Sequence, residues 1–278
     1  MTRILKTKVK TFNLDEETII MGILNVTPDS FSDGGRFNEV DAAVHQAKEM
    51  ERDGAHIIDI GGESTRPGHK PVSAEEEMER VLPIIRAVHR EVGIPISIDT
   101  YKSDVARAAV EAGASIINDV WGAKRDREIA NVAAAYQVPI VLMHNRDNRQ
   151  YVNIIDDMIQ DLEESVSIVK EAGVKAHNII LDPGVGFAKT PEDNLVVMRY
   201  LERVCNRGYP VLLGTSRKSF IGKVLDLPVE ERMEGTGATV CLGISKGVAM
   251  VRVHDVKSIA RMTKMMDTMI GKGEMTNG

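Results

Sequence analysis

Three groups of polar residues stand at the ends of short apolar runs in this chain, and each group has a chemistry of its own. The first joins two carboxylates and an amide: Asp99, Asn118 and Asp182. A buried carboxylate needs hydrogen-bond donors, because its charge is otherwise very costly. Such a set suits a flat ligand edge carrying several N–H groups, as on a pterin or a purine. For Asp182 alone, capping the turn at Pro183-Gly184 is the competing use. The second group is basic: Arg66, Lys218, Arg252 and His254. Arg252 and His254 are two residues apart, so on a strand they face the same way. With Arg66 and the amide of Asn25 they suit a phosphate or pyrophosphate. The third group is a pair of polar, glycine-containing segments, residues 27–35 and 61–68. Both are long for loops that follow strands, as lids are. Phe31 stands out there as a lid aromatic, although an ordinary flexible loop is the plainer reading. Neither segment matches a Walker A or a GxGxxG pattern. No Cys/His cluster has zinc spacing, and neither Cys205 nor Ser216 has an evident His/Asp triad.

These groups meet only if the fold brings the runs together. Ile19-Ile20-Met21-Gly22-Ile23-Leu24 ends at Asn25, and Ile57-Ile58-Asp59-Ile60 ends at Gly61-Gly62-Glu63. Ile96-Ser97-Ile98 ends at Asp99, Ser115-Ile116-Ile117 at Asn118-Asp119, and residues 138–143 at His144. Ile179-Ile180-Leu181 ends at Asp182, Val211-Leu212-Leu213 at Gly214, and Val248-Ala249-Met250-Val251 at Arg252 and His254. Segments of helical period separate nearly all of these runs. They cover residues 40–52, 73–92, 103–111 before Gly113, 154–172 before Gly173, 237–247 and 255–269, with another opened by Thr190-Pro191-Glu192. Ser73 and Glu76 have capping-box spacing. Strand then helix, about eight times over roughly 250 residues, predicts an α/β fold of the (β/α)8 TIM-barrel type. A doubly wound open sheet is the alternative. In a barrel every polar strand end opens on one face, where active sites of such folds lie. We expect a single domain over 1–278, the barrel at about 19–271, and an N-terminal β-hairpin at 3–18 turning near Asn13-Leu14-Asp15.

Composition narrows the function classes. The chain has 278 residues, 43% of them hydrophobic, which is ample for a large core. No apolar run is long enough to cross a bilayer, and Met1-Thr2-Arg3-Ile4-Leu5-Lys6 lacks the pattern of a secretory signal. Cys205 and Cys241 are the only cysteines, which predicts no disulfide framework and a cytoplasmic location. A net charge of −6 and 4% aromatic residues argue against nucleic acid as the main partner.

Long motifs in order then give a resemblance. Asn25-Val26-Thr27-Pro28-Asp29-Ser30-Phe31-Ser32-Asp33-Gly34-Gly35 and Gly61-Gly62-Glu63-Ser64-Thr65-Arg66-Pro67-Gly68 resemble the two signature loops of the dihydropteroate synthases. Asp182-Pro183-Gly184-Val185-Gly186-Phe187, Ser216-Arg217-Lys218-Ser219-Phe220 and Arg252-Val253-His254-Asp255 resemble that family's later motifs. Ala188, where glycine is frequent, and Asn145, where methionine is common, depart from it. The resemblance implies condensation of 6-hydroxymethyl-7,8-dihydropterin pyrophosphate with para-aminobenzoate. It implies that Asp182, Asn118, Asp99 and Lys218 hold the pterin edge, walled by Met143, Val120, Gly214 and Phe187. By the same resemblance Asn25, Arg252 and His254 hold pyrophosphate, with Mg²⁺ at Asn25, and Thr65, Pro67, Phe31 and Ser219 frame para-aminobenzoate. Asp99, Lys218, Asp33 and Arg66 are the implied catalytic set. A homodimer and competition by sulfonamides are implied too. The last helices (Val240, Ile244, Ile259, Met262, Met266) offer an apolar interface, with core packing as their other use. A pterin-binding corrinoid methyltransferase barrel is the rival, but it has no pyrophosphate for Lys218, Arg252 and His254 to hold.

Overall fold

The computed structural model describes residues 3–26, 35–63 and 71–273. Strands β1 (Ile4–Lys6) and β2 (Thr11–Asn13) pair antiparallel, with Lys6 opposite Thr11. The turn that joins them lies at Thr7–Lys10, and the turn expected near Asn13-Leu14-Asp15 follows β2, where the Glu16 amide donates to the Asn13 carbonyl at 3.2 Å. The Thr7 hydroxyl accepts from the amides of Val9 (3.2 Å) and Lys10 (2.9 Å), which closes the turn locally.

The rest alternates strand and helix: β3 (Ile19–Asn25), α1 (Gly35–Arg52), β4 (Ile57–Gly61), α2 (Ala74–Glu91), β5 (Ile96–Asp99), α3 (Ser103–Ala112), β6 (Ile116–Asp119) and α4 (Glu128–Tyr136). Then follow β7 (Ile140–Met143), α5 (Ile154–Glu171), β8 (Ile179–Asp182), α6 (Pro191–Arg199), α7 (Glu202–Cys205), β9 (Leu212–Leu213), α8 (Ser219–Leu225), α9 (Met233–Ser245), β10 (Met250–Val253) and α10 (Val256–Met269). Strands β3 to β10 form one eight-stranded parallel sheet in the order β8-β7-β6-β5-β4-β3-β10-β9. A parallel bridge between Leu181 and Val211 joins β8 to β9, with the Leu181 amide donating to Pro210 at 2.9 Å. That contact closes a barrel and removes the open-sheet alternative.

The two-residue period of a strand explains how the barrel fills. Ile58, Ile60, Ile96, Ile98 and Ile117 face outward into the core shared with the helices. Their neighbours Ile19, Met21, Ile57, Ile116, Ile180 and Met250 face inward, and cluster with Leu5, Phe12 and Leu14 of the hairpin. The hairpin therefore plugs the N-terminal end of the barrel. Continuing the same inward parity toward the C-terminal end gives Asp59, Asp99, Asn118, Asp182 and Arg252. One alternation builds both the dry floor and the polar mouth.

Ser73 caps α2, its hydroxyl accepting from the Glu76 amide, and Thr190 and Asp193 cap α6 reciprocally. Helices α4, α7 and α8 were not expected. α4 is dominated by Ala130, Ala133, Ala134 and Ala135, which give a weak amphipathic pattern, and the other two are short. Val240, Ile244 and Ile259 are buried, with Met262 and Met266 packed against them, so these residues serve the core. No described helix is long and apolar enough to cross a membrane.

Ala188 adopts φ 47°, in the left-handed region where a Cβ is disfavoured. This accounts for glycine being frequent at that place. Ala188→Gly should stabilise the chain by about 0.5 kcal/mol, the relief of strain being partly offset by the freer unfolded chain. A thermal melt reads this, and a lowered midpoint would contradict it.

Candidate active site

The polar layer is set by strand register. Gly61 lies beside Asp99 and Asp99 beside Asn118, while Met143 lies beside Asp182. At its centre is Asp59, fully buried, a residue the sequence reading left inside an apolar run. Its inward parity with Gly61 was the signal that could have found it. Arg252 donates from Nε to Asp59 at 2.6 Å and from Nη2 to Asp99 at 2.7 Å. Asn118 Nδ2 donates to the same Asp59 oxygen at 3.2 Å. The other oxygens, Oδ1 of Asp59 and Oδ1 of Asp99, are buried without a hydrogen-bond partner among the described residues. Buried acceptors of that kind want donors. Burial, opposed by Arg252, pushes the Asp99 carboxyl up to about 7. Against its own burial, Arg252 is held above its ordinary value by Asp59 and Asp99.

Asp182 makes the turn-capping bond that was its competing use. Its Oδ1 accepts from the Gly184 amide at 2.7 Å, while a Cβ added at Gly214 would lie 3.8 Å from its Oδ2. One oxygen fixes the turn and the other borders a position kept open by glycine. Gly184 sits at φ 63°, and a Cβ there would lie 1.9 Å from the His144 carbonyl, so only glycine fits. Burial raises the Asp182 carboxyl, against the attraction of Lys218.

Lys218 reaches over the same turn. Its Nζ donates to the Val185 carbonyl and stands 4.4 Å from the centre of the Phe187 ring. Burial lowers the lysine to about 8. Met143 and Val120 are buried and Phe187 partly so. Ser216, Arg217 and Lys218 diverge. Ser216 Oγ accepts from the His254 amide at 3.1 Å and lies 2.9 Å from His254 Nδ1. Arg217 turns aside to grip Asp255 through two bonds of 2.9 and 2.5 Å. Ser219 is exposed at the start of α8, and Asn25 is exposed at the end of β3, beside Gly61. Asp119 turns away and accepts from the amides of Trp121 (2.8 Å) and Ala123 (2.6 Å).

Phe31, Asp33, Thr65, Arg66 and Pro67 lie outside the described residues. At the root of the second loop, Lys102 pairs with Glu63 and Glu77, each at 2.5 Å, and Arg80 donates to the Gly62 carbonyl at 2.9 Å. Among the described residues no group of three or more His, Cys, Asp or Glu could hold a metal ion. The arrangement can accept several N–H donors at depth and present cations above them.

The family described as pterin binding enzyme matches residues 21–254. The dihydropteroate synthase of Bacillus subtilis (strain 168) is 64% identical over 277 residues, covering 100% of this chain and 97% of that protein. The Clostridium difficile dihydropteroate synthase crystallised in the presence of pteroic acid superposes with a TM-score of 0.91 at 50% identity, covering 93% of this chain and 98% of that one. The Xanthomonas albilineans dihydropteroate synthase with 4-aminobenzoic acid gives a TM-score of 0.92 at 38% identity, covering 97% and 99%. With the strand-end motifs in place on a closed barrel, this chain belongs to the dihydropteroate synthase family of pterin binding enzymes.

Proposed function

We propose that the strand-end cluster joins 6-hydroxymethyl-7,8-dihydropterin pyrophosphate to para-aminobenzoate, giving 7,8-dihydropteroate and pyrophosphate. The observation that carries this is the pair of buried carboxylates, Asp99 with an unpartnered Oδ1 and Asp182 with its Oδ2 beside Gly214. Asp182 and Asn118 accept and complete the pterin N3–H and 2-amino edge, and Asp99 faces N8–H. Lys218 reaches O4 and N5. Met143, Val120, Phe187 and Gly214 wall the pocket.

The bond that breaks joins the pterin methylene carbon to the pyrophosphate oxygen, and the bond that forms joins that carbon to the arylamine nitrogen. The electron pair leaves with pyrophosphate, and the amine gives up one proton. Asp99 stabilises positive charge spreading through N8, while Arg252 and His254 face the departing anion. Asp99 and Arg252 are fixed charges aimed at charge that develops during reaction. Ser216 orients His254: its hydroxyl accepts from the backbone amide at 3.1 Å and lies 2.9 Å from Nδ1. Thr65, Pro67, Phe31 and Ser219 frame the arylamine, and Asp33 and Arg66 complete the catalytic set on the two loops that exclude water.

Mg²⁺ fits as a partner of the pyrophosphate. Asn25 offers one exposed amide oxygen and the described residues hold no carboxylate cage, which suits an ion bound mainly through substrate phosphates. When bound it would neutralise pyrophosphate charge. The reading also carries a cytoplasmic location, consistent with two free cysteines, and a homodimer whose interface uses residues other than the buried faces of α9 and α10.

A pyrophosphate-release assay with both substrates, with and without Mg²⁺, tests the function; no release under any of these conditions would refute it. The same assay has an expected pH profile. Asp99 acts ionised and Lys218 acts protonated, so kcat/KM should climb as pH rises through about 7 and decline above about 8. A profile that is flat from pH 6 to 9 would remove both assignments.

A further inference from the structure

We propose that Lys189 is a positioning residue for pterin recognition, its ammonium pinning the 184–187 turn from behind and placing positive charge near the Asp182 carboxylate. The inference rests on the reading of Asp182 as the carboxylate that grips the pterin. Lys189 is 4% exposed, and no motif reading singled it out. Its Nζ has three neighbours at bonding distance: His144 Nδ1 at 2.7 Å, the Gly184 carbonyl at 3.0 Å and the Phe187 carbonyl at 3.1 Å. The two carbonyls can only accept. The state of the histidine follows from its far side.

His144 Nε2 lies 3.0 Å from an oxygen of Asp161, and that oxygen also accepts from Arg146 Nε at 2.5 Å. Against the penalty of burial, the bonds from His144 and Arg146 hold Asp161 well below the usual carboxylate range. Asp161 is thus an acceptor, and the proton between it and the ring belongs to Nε2. A neutral ring then presents a lone pair at Nδ1. Burial agrees, pushing His144 down to about 4. Lys189 therefore faces three acceptors, and it satisfies all of them only with three protons, as the ammonium. Burial, opposed by the attraction of Asp182, draws it down to about 7. The acceptor count opposes that loss, because deprotonation would leave one buried acceptor unmatched.

The consequence reaches the ligand pocket. The turn that Lys189 fastens carries Phe187 and the Val185 carbonyl that holds Lys218. Lys189 also attracts Asp182, as do Lys218 and Arg252. Lys189 itself feels Asp182, Lys218, Asp193 and Asp161, and it touches neutral His144. Losing its charge should raise the Asp182 carboxyl further, so the ionised acceptor would be lost at a higher pH.

The test is calorimetric titration of the intact chain with 6-hydroxymethylpterin between pH 6 and 9. Lys189→Met should weaken binding about tenfold at pH 8 and move the pH below which binding fails upward by on the order of one unit. Lys189→Arg, which keeps the charge, should retain the original midpoint even where affinity drops. A loss in Lys189→Met that is the same at every pH overturns the proposal, since a merely structural role predicts that. Should Lys189→Met fail to fold, ¹⁵N-histidine NMR of the unaltered chain decides: His144 should stay neutral with its proton on Nε2 throughout this range. A charged ring, or a proton on Nδ1, overturns the wiring. Failure of the unaltered chain to bind the pterin would instead sink the reading of Asp182, leaving the NMR result on Lys189 and His144 to stand or fall by itself.

Discussion

Replacing Asp182 with alanine abolishes pterin binding, and calorimetry with 6-hydroxymethylpterin should show no saturable heat. The carboxylate is 5% exposed and is placed to accept from two N–H groups of one ligand edge. Hydrogen bonds to a charged group contribute about 1.5–3 kcal/mol each. Losing two of them weakens binding by roughly a hundredfold at the least. The substitution has two further effects. The Gly184 amide loses its 2.7 Å acceptor, and Lys218 loses the carboxylate that attracts it. Asp182→Asn separates these effects. It keeps an oxygen for Gly184 but brings an NH₂ toward the pterin donors, so it should fold like the original chain and still fail to bind. Retained affinity in both variants would remove Asp182 from the pocket.

Asp99→Asn should act on rate rather than on binding. The residue pairs with Arg252 through one oxygen, and the other is buried without a partner among the described residues. Asparagine keeps the shape and an acceptor for the guanidinium, and Arg252 still holds Asp59 at 2.6 Å. What disappears is a fixed negative charge beside the ring nitrogen where positive charge grows. Removal of one such stabilising group costs about 3 kcal/mol, on the order of a hundredfold in kcat. Pterin affinity should change far less. Equal losses in kcat and in affinity would show that Asp99 binds substrate and reacting state alike, and its role as charge stabiliser would be gone.

How far the site was legible depends on which physical signal each residue leaves. Asp99, Asn118, Asp182 and Arg252 end apolar runs, and parallel strands bring such ends to one face, so periodicity alone located them. Asp59 breaks a run from within and was passed over, although its two-residue offset from Gly61 placed it inward. Lys189, His144 and Asp161 come from three separate segments, and their contacts depend on how the turn at Gly184 folds back on His144. No spacing along the chain encodes that. Of the two turns in the hairpin segment, the one at Asn13-Leu14-Asp15 was legible from its Asn and Asp, and the one at Thr7–Lys10, closed by a threonine hydroxyl, was not. Ligand identity was never a matter of period; it came from motifs, and the comparisons support those.

The hairpin at the base of the barrel has a kinetic consequence. Leu5, Phe12 and Leu14, each at most 1% exposed, close the N-terminal end, so among the described residues the polar layer is approached from the C-terminal end of the barrel. From that side, depth imposes queueing. On the proposed function, the ligand on the carboxylates lies deepest, and pyrophosphate would leave by the same approach. Turnover would accordingly be paced by traffic along that approach, and inhibitors of the upper position would trap whatever already lies beneath them.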